Sequence, residues 1–366
     1  MAIKEKILKW VDSFIRLEAA GLDISDRSVK YLKFRQDTKL GFDFFGEFDV
    51  PEGVIEKGEI KQEEELIKVF QKFLQREGRH LRSSFVVASL PEEKSFFRLI
   101  QLPKMKKEEV ANAIRWEIEA NIPLPAEDLL YDYEIIEPVG GDFDHFDIMI
   151  TAFPRDIVDS YVRALKQSGF NPLALEVESQ AIVRAVIPQL REYSARIIVE
   201  MGRTRTSLIL FAGGAIVFTT TLELGGLTFE ENIAKVLSVS PAEALNIKRD
   251  TGLNRKAYDG KIFMALEPAL SVLADEVKKA IDYYQDRVKH AHGASPEINE
   301  VLLTGGDANL FGLDTYFASI LKIPVRRADP FAAIRGRFNY LIPPFPQNQA
   351  LAFTTAVGLA MRGIRD

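Results

Sequence analysis

The chain contains no cysteine, which excludes disulfide bridges, thiolate metal sites and a cysteine nucleophile. It has only four histidines, and none of them lies at a metal-ligand spacing from another. The sequence also lacks a GxxxxGK[ST] loop and a Ser/His/Asp arrangement. These absences argue against a disulfide-rich secreted domain, a zinc protein, a P-loop enzyme and a triad hydrolase.

An excess of basic charge and long hydrophobic runs are missing as well. With 47 Lys and Arg against 53 Asp and Glu, the net charge is −6, so we expect no nucleic-acid partner. The most apolar segment, residues 208–218, carries Gly213 and Gly214 at its centre, which indicates a hairpin and not a membrane helix. A chain of 366 residues with 47% hydrophobic content is predicted to be soluble and to hold two or more cores.

A strand followed by a helix is the most distinctive stretch that the sequence does contain. The apolar run from Phe96 to Leu102 indicates a strand covered on both faces, and Pro103 ends it. A helix is predicted from about Lys106 to Ala120. Glu117 lies inside the apolar stripe of this helix, so we expect it to be partly buried and bonded, with Arg98 as a candidate partner.

The first residues of the chain form an amphipathic pattern. Ile3, Ile7 and Trp10 share a helical face with later apolar residues, and basic side chains lie opposite. Such a helix packs on its own protein, binds a partner groove or lies on a membrane surface, and the sequence leaves these three possibilities open.

A strand–turn–strand pattern occurs twice. The first copy, residues 19–34, has Asp23 before a turn that carries Ser25, Asp26 and Ser28. Backbone N–H groups and hydroxyls in such a turn bind an anion, and Asp23 is suited to Mg²⁺ through water. The alternative is an ordinary polar hairpin. Residues 196–226 form the second copy, as expected if two related lobes face each other across a cleft.

A resemblance to a known family joins these observations. The strings LPKM, RWEIE, NIPLP and YDYEII, within residues 102–136, resemble the signature of the PilM family of type IV pilus assembly proteins. These proteins are cytoplasmic, actin-like and related to FtsA. The resemblance implies an α/β, two-lobed actin-like ATPase fold with a small inserted β-β-α-β-β subdomain in the first lobe.

Domain boundaries follow from this resemblance together with the predicted elements. We expect an N-terminal amphipathic helix, two parts of a first-lobe core, an inserted partner-docking subdomain, a second lobe and a returning C-terminal helix. The corresponding residues are 1–19 for the helix, 20–82 and 166–195 for the first-lobe core, 83–165 for the subdomain, 196–345 for the second lobe and 346–366 for the returning helix.

The resemblance also implies a site for ATP and Mg²⁺ between the lobes. Asp23 and Glu200 would hold the metal, although Ser25 and Glu200 stand where the family has Gly and Asp. Glu178 would position the attacking water, although an acid at a helix N-terminus is equally well explained by the macrodipole. The nucleotide-binding residues implied are Asp23, Ser25, Asp26, Ser28, Gly202, Thr204, Thr206, Gly225, Gly226, Lys248, Gly305, Gly306 and Asn309.

The family's partner is the short cytoplasmic tail of the membrane protein PilN. We expect an extended peptide to bind between the inserted subdomain and the first-lobe core, with Met105, Ile122 and Leu124 as candidate pocket residues. The alternative is that these three residues seal the subdomain's own core.

The sequence thus predicts a cytoplasmic, nucleotide-binding scaffold of pilus assembly, located at the inner face of the cytoplasmic membrane through its partners. At most it is a slow ATPase. The alternatives are an active FtsA-like ATPase or filament former and, less favoured, a sugar kinase on the same fold.

Overall fold

Two five-stranded sheets with the same strand order form the centre of the computed structural model within the residues it describes. These residues are 18–36, 40–77, 85–136, 144–189, 194–288, 296–335 and 347–364. The predicted N-terminal helix falls almost wholly outside them.

The strands are β1 (Ala19–Ile24), β2 (Ser28–Gln36), β3 (Leu40–Asp49), β4 (Ile55–Glu56), β5 (Glu59–Ile60), β6 (Phe85–Leu90), β7 (Phe96–Pro103), β8 (Leu129–Ile136), β9 (His145–Pro154), β10 (Asn171–Val177), β11 (Ala195–Met201), β12 (Thr206–Ala212), β13 (Ala215–Leu222), β14 (Ile298–Thr304) and β15 (Val325–Arg327). The α-helices are α1 (Glu63–Glu77), α2 (Lys107–Asn121), α3 (Arg155–Ser168), α4 (Glu178–Val186), α5 (Gly226–Leu237), α6 (Pro241–Thr251), α7 (Lys261–Tyr283), α8 (Leu313–Leu321), α9 (Ala332–Arg335), α10 (Gln347–Ala350) and α11 (Thr354–Met361).

In each large sheet, the three strands that come first in the chain are antiparallel neighbours, and the two later strands lie parallel to the first of them. The first has the order β10-β6-β1-β2-β3, and the second has the order β13-β12-β11-β14-β15. β1 pairs antiparallel with β2 and parallel with β6, as β11 does with β12 and β14. This shared topology agrees with the predicted repeat of the opening hairpin and defines a first and a second lobe.

Apolar packing continues from one lobe into the other. Ile182 of α4 and Val357 of α11 belong to the same buried cluster as Ile198 and Leu302 of the second sheet. Helix α11 also lies close to the first sheet, since a side chain at Gly21 of β1 would overlap the Ala356 carbonyl. The end of the chain therefore returns to the first lobe, as expected.

The inserted unit is a three-stranded sheet, β7-β9-β8, covered by α2. The structure corrects the predicted β-β-α-β-β unit, because β6 lies inside the first-lobe sheet between β1 and β10. Its nearly continuous burial suits a central parallel strand. Helix α3 also packs into the first-lobe core, through Tyr161 and Leu165. The insertion is thus β7 to β9, and not the whole of 83–165.

Two expectations concern the strand and helix at 96–121. β7 is half-buried and packed on both faces, since Phe97 packs against the large buried cluster of the two lobes and Ile100 packs against the small core of the insertion. Glu117 is partly buried and bonded as predicted, since Asn121 Nδ2 donates to Glu117 Oε2 at 3.1 Å. The partner is thus Asn121, and Arg98 is exposed.

None of the helices in the described ranges is both long enough and apolar enough to span a bilayer.

Candidate functional site

A large cavity separates the two lobes, with a volume of about 1040 Å³. We call it the interlobe cavity. Ten of the residues that the sequence assigned to a site line it. They are Asp23, Ser25, Ser28, Glu178, Glu200, Gly202, Thr204, Lys248, Gly306 and Asn309. Segments more than 200 residues apart in the chain therefore meet at one place.

The turn between β1 and β2 supplies one wall of the interlobe cavity. Asp23 is buried at the end of β1, and burial raises the pKa of its carboxyl, although the charges of Lys30 and Arg205 oppose this. Ser25 Oγ donates to the Ser28 carbonyl oxygen at 2.8 Å and closes the turn. Asp26 points elsewhere, because its carboxylate accepts the backbone N–H groups of Lys57 and Gly58, each at 3.0 Å.

Lys30 is a residue of this wall that the sequence interpretation did not select. It lies opposite Asp23 in the β1–β2 register, and its Nζ is 3.3 Å from Glu47 Oε1. Burial alone would lower the pKa of Lys30, but the charges of Asp23, Glu47 and Glu200 raise it. Lys30 is therefore a cation held among carboxylates. Its signal in the sequence was a lysine placed across the predicted hairpin from Asp23.

The turn between β11 and β12 forms the opposite wall. Burial raises the pKa of Glu200 to about 7, and the charge of Asp23 adds to the effect. Gly202 and Thr204 line the cavity, whereas Thr206 donates its hydroxyl to the Leu224 carbonyl at 2.7 Å and does not. Thr206 therefore fixes the loop before α5.

Three of the predicted glycines shape the backbone behind this wall. A side chain at Gly225 would overlap the Arg203 carbonyl, and one at Gly226 would overlap the Asp307 carboxylate. Gly305 has φ +87°, and a side chain there would overlap the Met201 carbonyl. These three positions exclude larger residues without lining the cavity themselves.

Lys248 is buried in a cluster of polar groups that also lines the interlobe cavity. Its Nζ is 2.8 Å from Glu230 Oε1, 2.5 Å from Asp307 Oδ1 and 3.3 Å from the Gly226 carbonyl oxygen. The ammonium ties α6 to α5 and to the short 3₁₀ turn at Gly306–Asn309. In that turn, Asn309 Nδ2 donates to the Gly306 carbonyl at 3.0 Å.

Phe311 stands just beyond this turn and was also missed. It lines the interlobe cavity, yet the residue is 61% exposed. Two contacts fix its backbone. The Phe311 carbonyl oxygen accepts the Leu253 N–H at 2.8 Å, and a side chain at Gly252, which has φ +53°, would overlap the Phe311 backbone. An aromatic ring is thus held at the mouth of the cavity with much of its surface uncovered.

Glu178 is the first residue of α4 and is buried. Arg205 Nη2 contacts Glu178 Oε1 at 2.6 Å. Burial raises the pKa of Glu178 well above its usual value, although Arg205 opposes this. The predicted water-positioning acid is therefore paired with a cation that the sequence interpretation did not connect to it.

The acids of the interlobe cavity do not form a ready-made metal cage. Within the described ranges, no group of three or more acidic or histidine side chains is placed to share a metal ion. Asp23 and Glu200 nevertheless face the same cavity from opposite lobes, and oxygen ligands of this kind suit Mg²⁺ when water and phosphate complete the shell.

The three candidate partner residues lie in the small core of the inserted unit. Ile122 is buried there, and Met105 and Leu124 pack against the same cluster. These three residues therefore seal the core of the inserted unit, which is the alternative that the sequence left open for them.

A separate groove of about 400 Å³ lies between the inserted unit and the first lobe. We call it the β8–β10 groove. It is lined by Tyr131 and Tyr133 of β8, Leu175 and Glu176 of β10, and Arg362, among others. In the described part of the chain, β8 pairs with β9 alone and β10 with β6 alone, so each strand presents one unpaired edge.

Comparisons with known proteins agree with this architecture. A family model described as type IV pilus assembly protein PilM matches residues 21–364. A solved structure titled PilM-PilN type IV pilus biogenesis complex is 24% identical, with a TM-score of 0.78 over 96% of this chain and 100% of that chain.

Two further solved structures are more distant. The ethanolamine utilization protein EutJ from Carboxydothermus hydrogenoformans is 16% identical, with a TM-score of 0.56 over 94% of this chain and 89% of that one. MreB5 of Spiroplasma citri, solved bound to ADP, is 13% identical, with a TM-score of 0.54 over 87% of this chain and 94% of that one. These likenesses show the actin-like fold. The match over nearly the whole chain shows that the protein belongs to the PilM family of type IV pilus assembly proteins.

Proposed function

We propose that this chain is a nucleotide-binding scaffold of type IV pilus assembly that holds ATP with Mg²⁺ in the interlobe cavity. The observation that carries the proposal is the convergence of two related turns, one from each lobe, with the Gly305–Gly306 turn around a single cavity. MreB5, which shares the fold, was solved with ADP and in a second structure with AMPPNP.

The residues present suit a nucleoside triphosphate. Lys30 and the turn after Asp23 offer a cation and backbone donors to phosphate oxygens. Asp23 and Glu200 offer oxygens to a phosphate-bound Mg²⁺, which would offset the cost of burying both carboxylates. Lys248 and its neighbouring turn, together with Phe311, line the same cavity and would contact the nucleoside.

Turnover is proposed to be very slow. Glu200 places its carboxylate one methylene further from the backbone than an aspartate would, and Ser25 puts a side chain where a phosphate must approach closely. Both changes disturb the placement of metal and water on which catalysis depends.

Calorimetry on the purified full chain tests this proposal. Saturable binding of Mg·ATP with phosphate release far below the roughly 10 s⁻¹ of a median enzyme is the expected result. Absence of binding to well-folded protein contradicts the nucleotide part, and fast turnover contradicts the scaffold part.

We further propose that an extended peptide, like the cytoplasmic tail of PilN, binds in the β8–β10 groove. Support comes from the two unpaired strand edges that face this groove and from the related structure titled as a PilM-PilN complex. An added strand gains main-chain hydrogen bonds from such an edge, and alternate side chains enter the groove. Through this membrane-protein tail the chain would be held at the inner face of the cytoplasmic membrane.

A further inference from the structure

Arg205 belongs to the second lobe, but its side chain ends among carboxylates of the first. It lies in the turn between β11 and β12. Its guanidinium is 2.6 Å from Glu178 Oε1, 3.0 Å from Glu93 Oε1 and 3.8 Å from Asp26 Oδ1. These acids come from the first turn of α4, the 3₁₀ turn after β6 and the turn between β1 and β2. One buried cation thus joins three elements of the opposite lobe.

The charge balance of this cluster makes the guanidinium hard to displace. Arg205 is 8% exposed, and although burial lowers its pKa, Glu178 and Glu93 raise it well above its usual value. Both oxygens of Glu93 lack an aligned hydrogen bond despite the ion pair, so Arg205 is the cation that these buried acids depend on. Removing one partner from a buried ionic cluster leaves uncompensated charge, which is strongly unfavourable.

The pairing has a chemical consequence for ATP. Hydrolysis requires a water oxygen to attack the γ-phosphorus while the bond between that phosphorus and the β,γ-bridging oxygen breaks, which gives ADP and inorganic phosphate. A proton leaves the attacking water, and a carboxylate with a free oxygen and sufficient basicity is the group that accepts it. In this chain Arg205 Nη2 bonds one oxygen of Glu178, and its charge opposes the rise in pKa that burial causes, so the carboxylate is a weaker base than burial alone would make it.

We propose that Arg205 is a positioning residue that ties Glu178 to the second lobe, weakens it as a base toward the attacking water and so keeps bound ATP intact. This inference rests on the proposed nucleotide-binding function. A different role, in which Arg205 contacts the phosphates directly, is disfavoured by its geometry. Both of its terminal nitrogens contact carboxylates at 3.0 Å or less, whereas Lys30 Nζ lies 3.2 Å from Ser28 Oγ at the turn between β1 and β2.

The test compares Arg205→Gln, the double variant Arg205→Gln/Glu178→Gln and wild type. The matched control is Arg163→Gln, which replaces an exposed arginine and breaks an Arg–Glu pair outside the cavity. ATP affinity is measured by calorimetry, and phosphate release is measured between pH 6 and pH 9.

Arg205→Gln is expected to release phosphate at least about tenfold faster than wild type with ATP affinity nearly unchanged. The gain should increase with pH, because Glu178 without its cation ionises only at higher pH. Adding Glu178→Gln should abolish the gain, whereas a merely structural role of Arg205 predicts no such dependence. Arg163→Gln should behave as wild type.

Three results overturn the inference. Unchanged phosphate release with normal ATP binding by Arg205→Gln rejects it and leaves the proposed function standing. Loss of ATP affinity without any gain in release makes Arg205 a phosphate ligand. If the wild-type protein binds no ATP, both this inference and the proposed nucleotide-binding function are rejected. If Arg205→Gln does not fold, Arg205→Gln/Glu93→Gln buries one charge fewer, and the same comparisons apply to it.

Discussion

Asp23 and Lys30 lie directly opposite each other on β1 and β2, and both line the interlobe cavity. In a buried position the opposite charges of such a cross-strand pair oppose the neutralising effect of burial on both groups. In the proposed function, the carboxylate serves a bound metal and the ammonium serves a phosphate.

Replacing Lys30 with Met should weaken ATP binding. A hydrogen bond to a charged group is worth about 1.5–3 kcal/mol, so the dissociation constant is expected to rise by about tenfold to a hundredfold. Titration calorimetry of Lys30→Met against Lys61→Met, which alters an exposed lysine outside the cavity, measures the effect. Equal affinities of the two variants would mean that Lys30 does not meet the phosphates.

Glu200 should make stability depend on pH. Its pKa in the folded protein is about 7 against 4.5 for the free side chain, so the unfolded state loses its proton first. The free energy of unfolding of wild type is therefore expected to fall as the pH rises from about 4.5 to above 7, relative to Glu200→Gln. Saturating Mg·ATP should reduce this dependence, because a bound cation stabilises the ionised carboxylate. Urea unfolding at pH 5 and pH 8 provides the measurement, and parallel changes in both proteins would contradict it.

Phe311 should stack on the base of the nucleotide. Aromatic stacking on a base contributes about 1–3 kcal/mol, so Phe311→Ala is expected to weaken ATP binding by about five- to a hundredfold. Binding of inorganic tripolyphosphate, which has no base, should be unaffected. Met264→Ala removes a side chain of similar exposure outside the cavity and is the control. A parallel loss of both ligands in Phe311→Ala would point to a disturbed cavity and not to stacking.

Charge placed in the β8–β10 groove should block the peptide. Tyr131 is 39% exposed on β8, so Tyr131→Lys is expected to leave the melting temperature and ATP affinity unchanged while abolishing binding of a PilN-like peptide. Tyr258→Lys, at a residue that is 50% exposed outside this groove, is the control. Ile122→Glu should instead lower the melting temperature, because Ile122 is part of the small core. Fluorescence anisotropy of a labelled peptide distinguishes these results, and full binding by Tyr131→Lys would place the peptide elsewhere.

The sequence predicted best those features that depend on a short, local pattern of residues. The turn after Asp23 and the pair Gly305 and Gly306 could be located because a polar or glycine turn at the end of an apolar strand is a short-range signal. The strand–turn–strand repeat indicated two related lobes for the same reason, and the structure shows both sheets with one topology.

Contacts between residues that are far apart in the chain could not be predicted from such local patterns. Arg205 and Glu178 are brought together by the closing of two lobes, and no periodicity links them. The residues of the β8–β10 groove meet only because strands of two separate sheets line the same space. β6 was assigned to the insertion since it precedes β7 in the chain, although its burial on both faces suits the large sheet.

The central claim is that the interlobe cavity holds ATP with Mg²⁺. Titration calorimetry of the full chain with Mg·ATP, beside the Lys30→Met variant, tests it most directly. The account predicts saturable binding of one ATP per chain that requires Mg²⁺ and weakens in Lys30→Met. Well-folded wild-type protein that shows no binding heat at any accessible ATP concentration, or binding that Lys30→Met leaves unchanged, would contradict it.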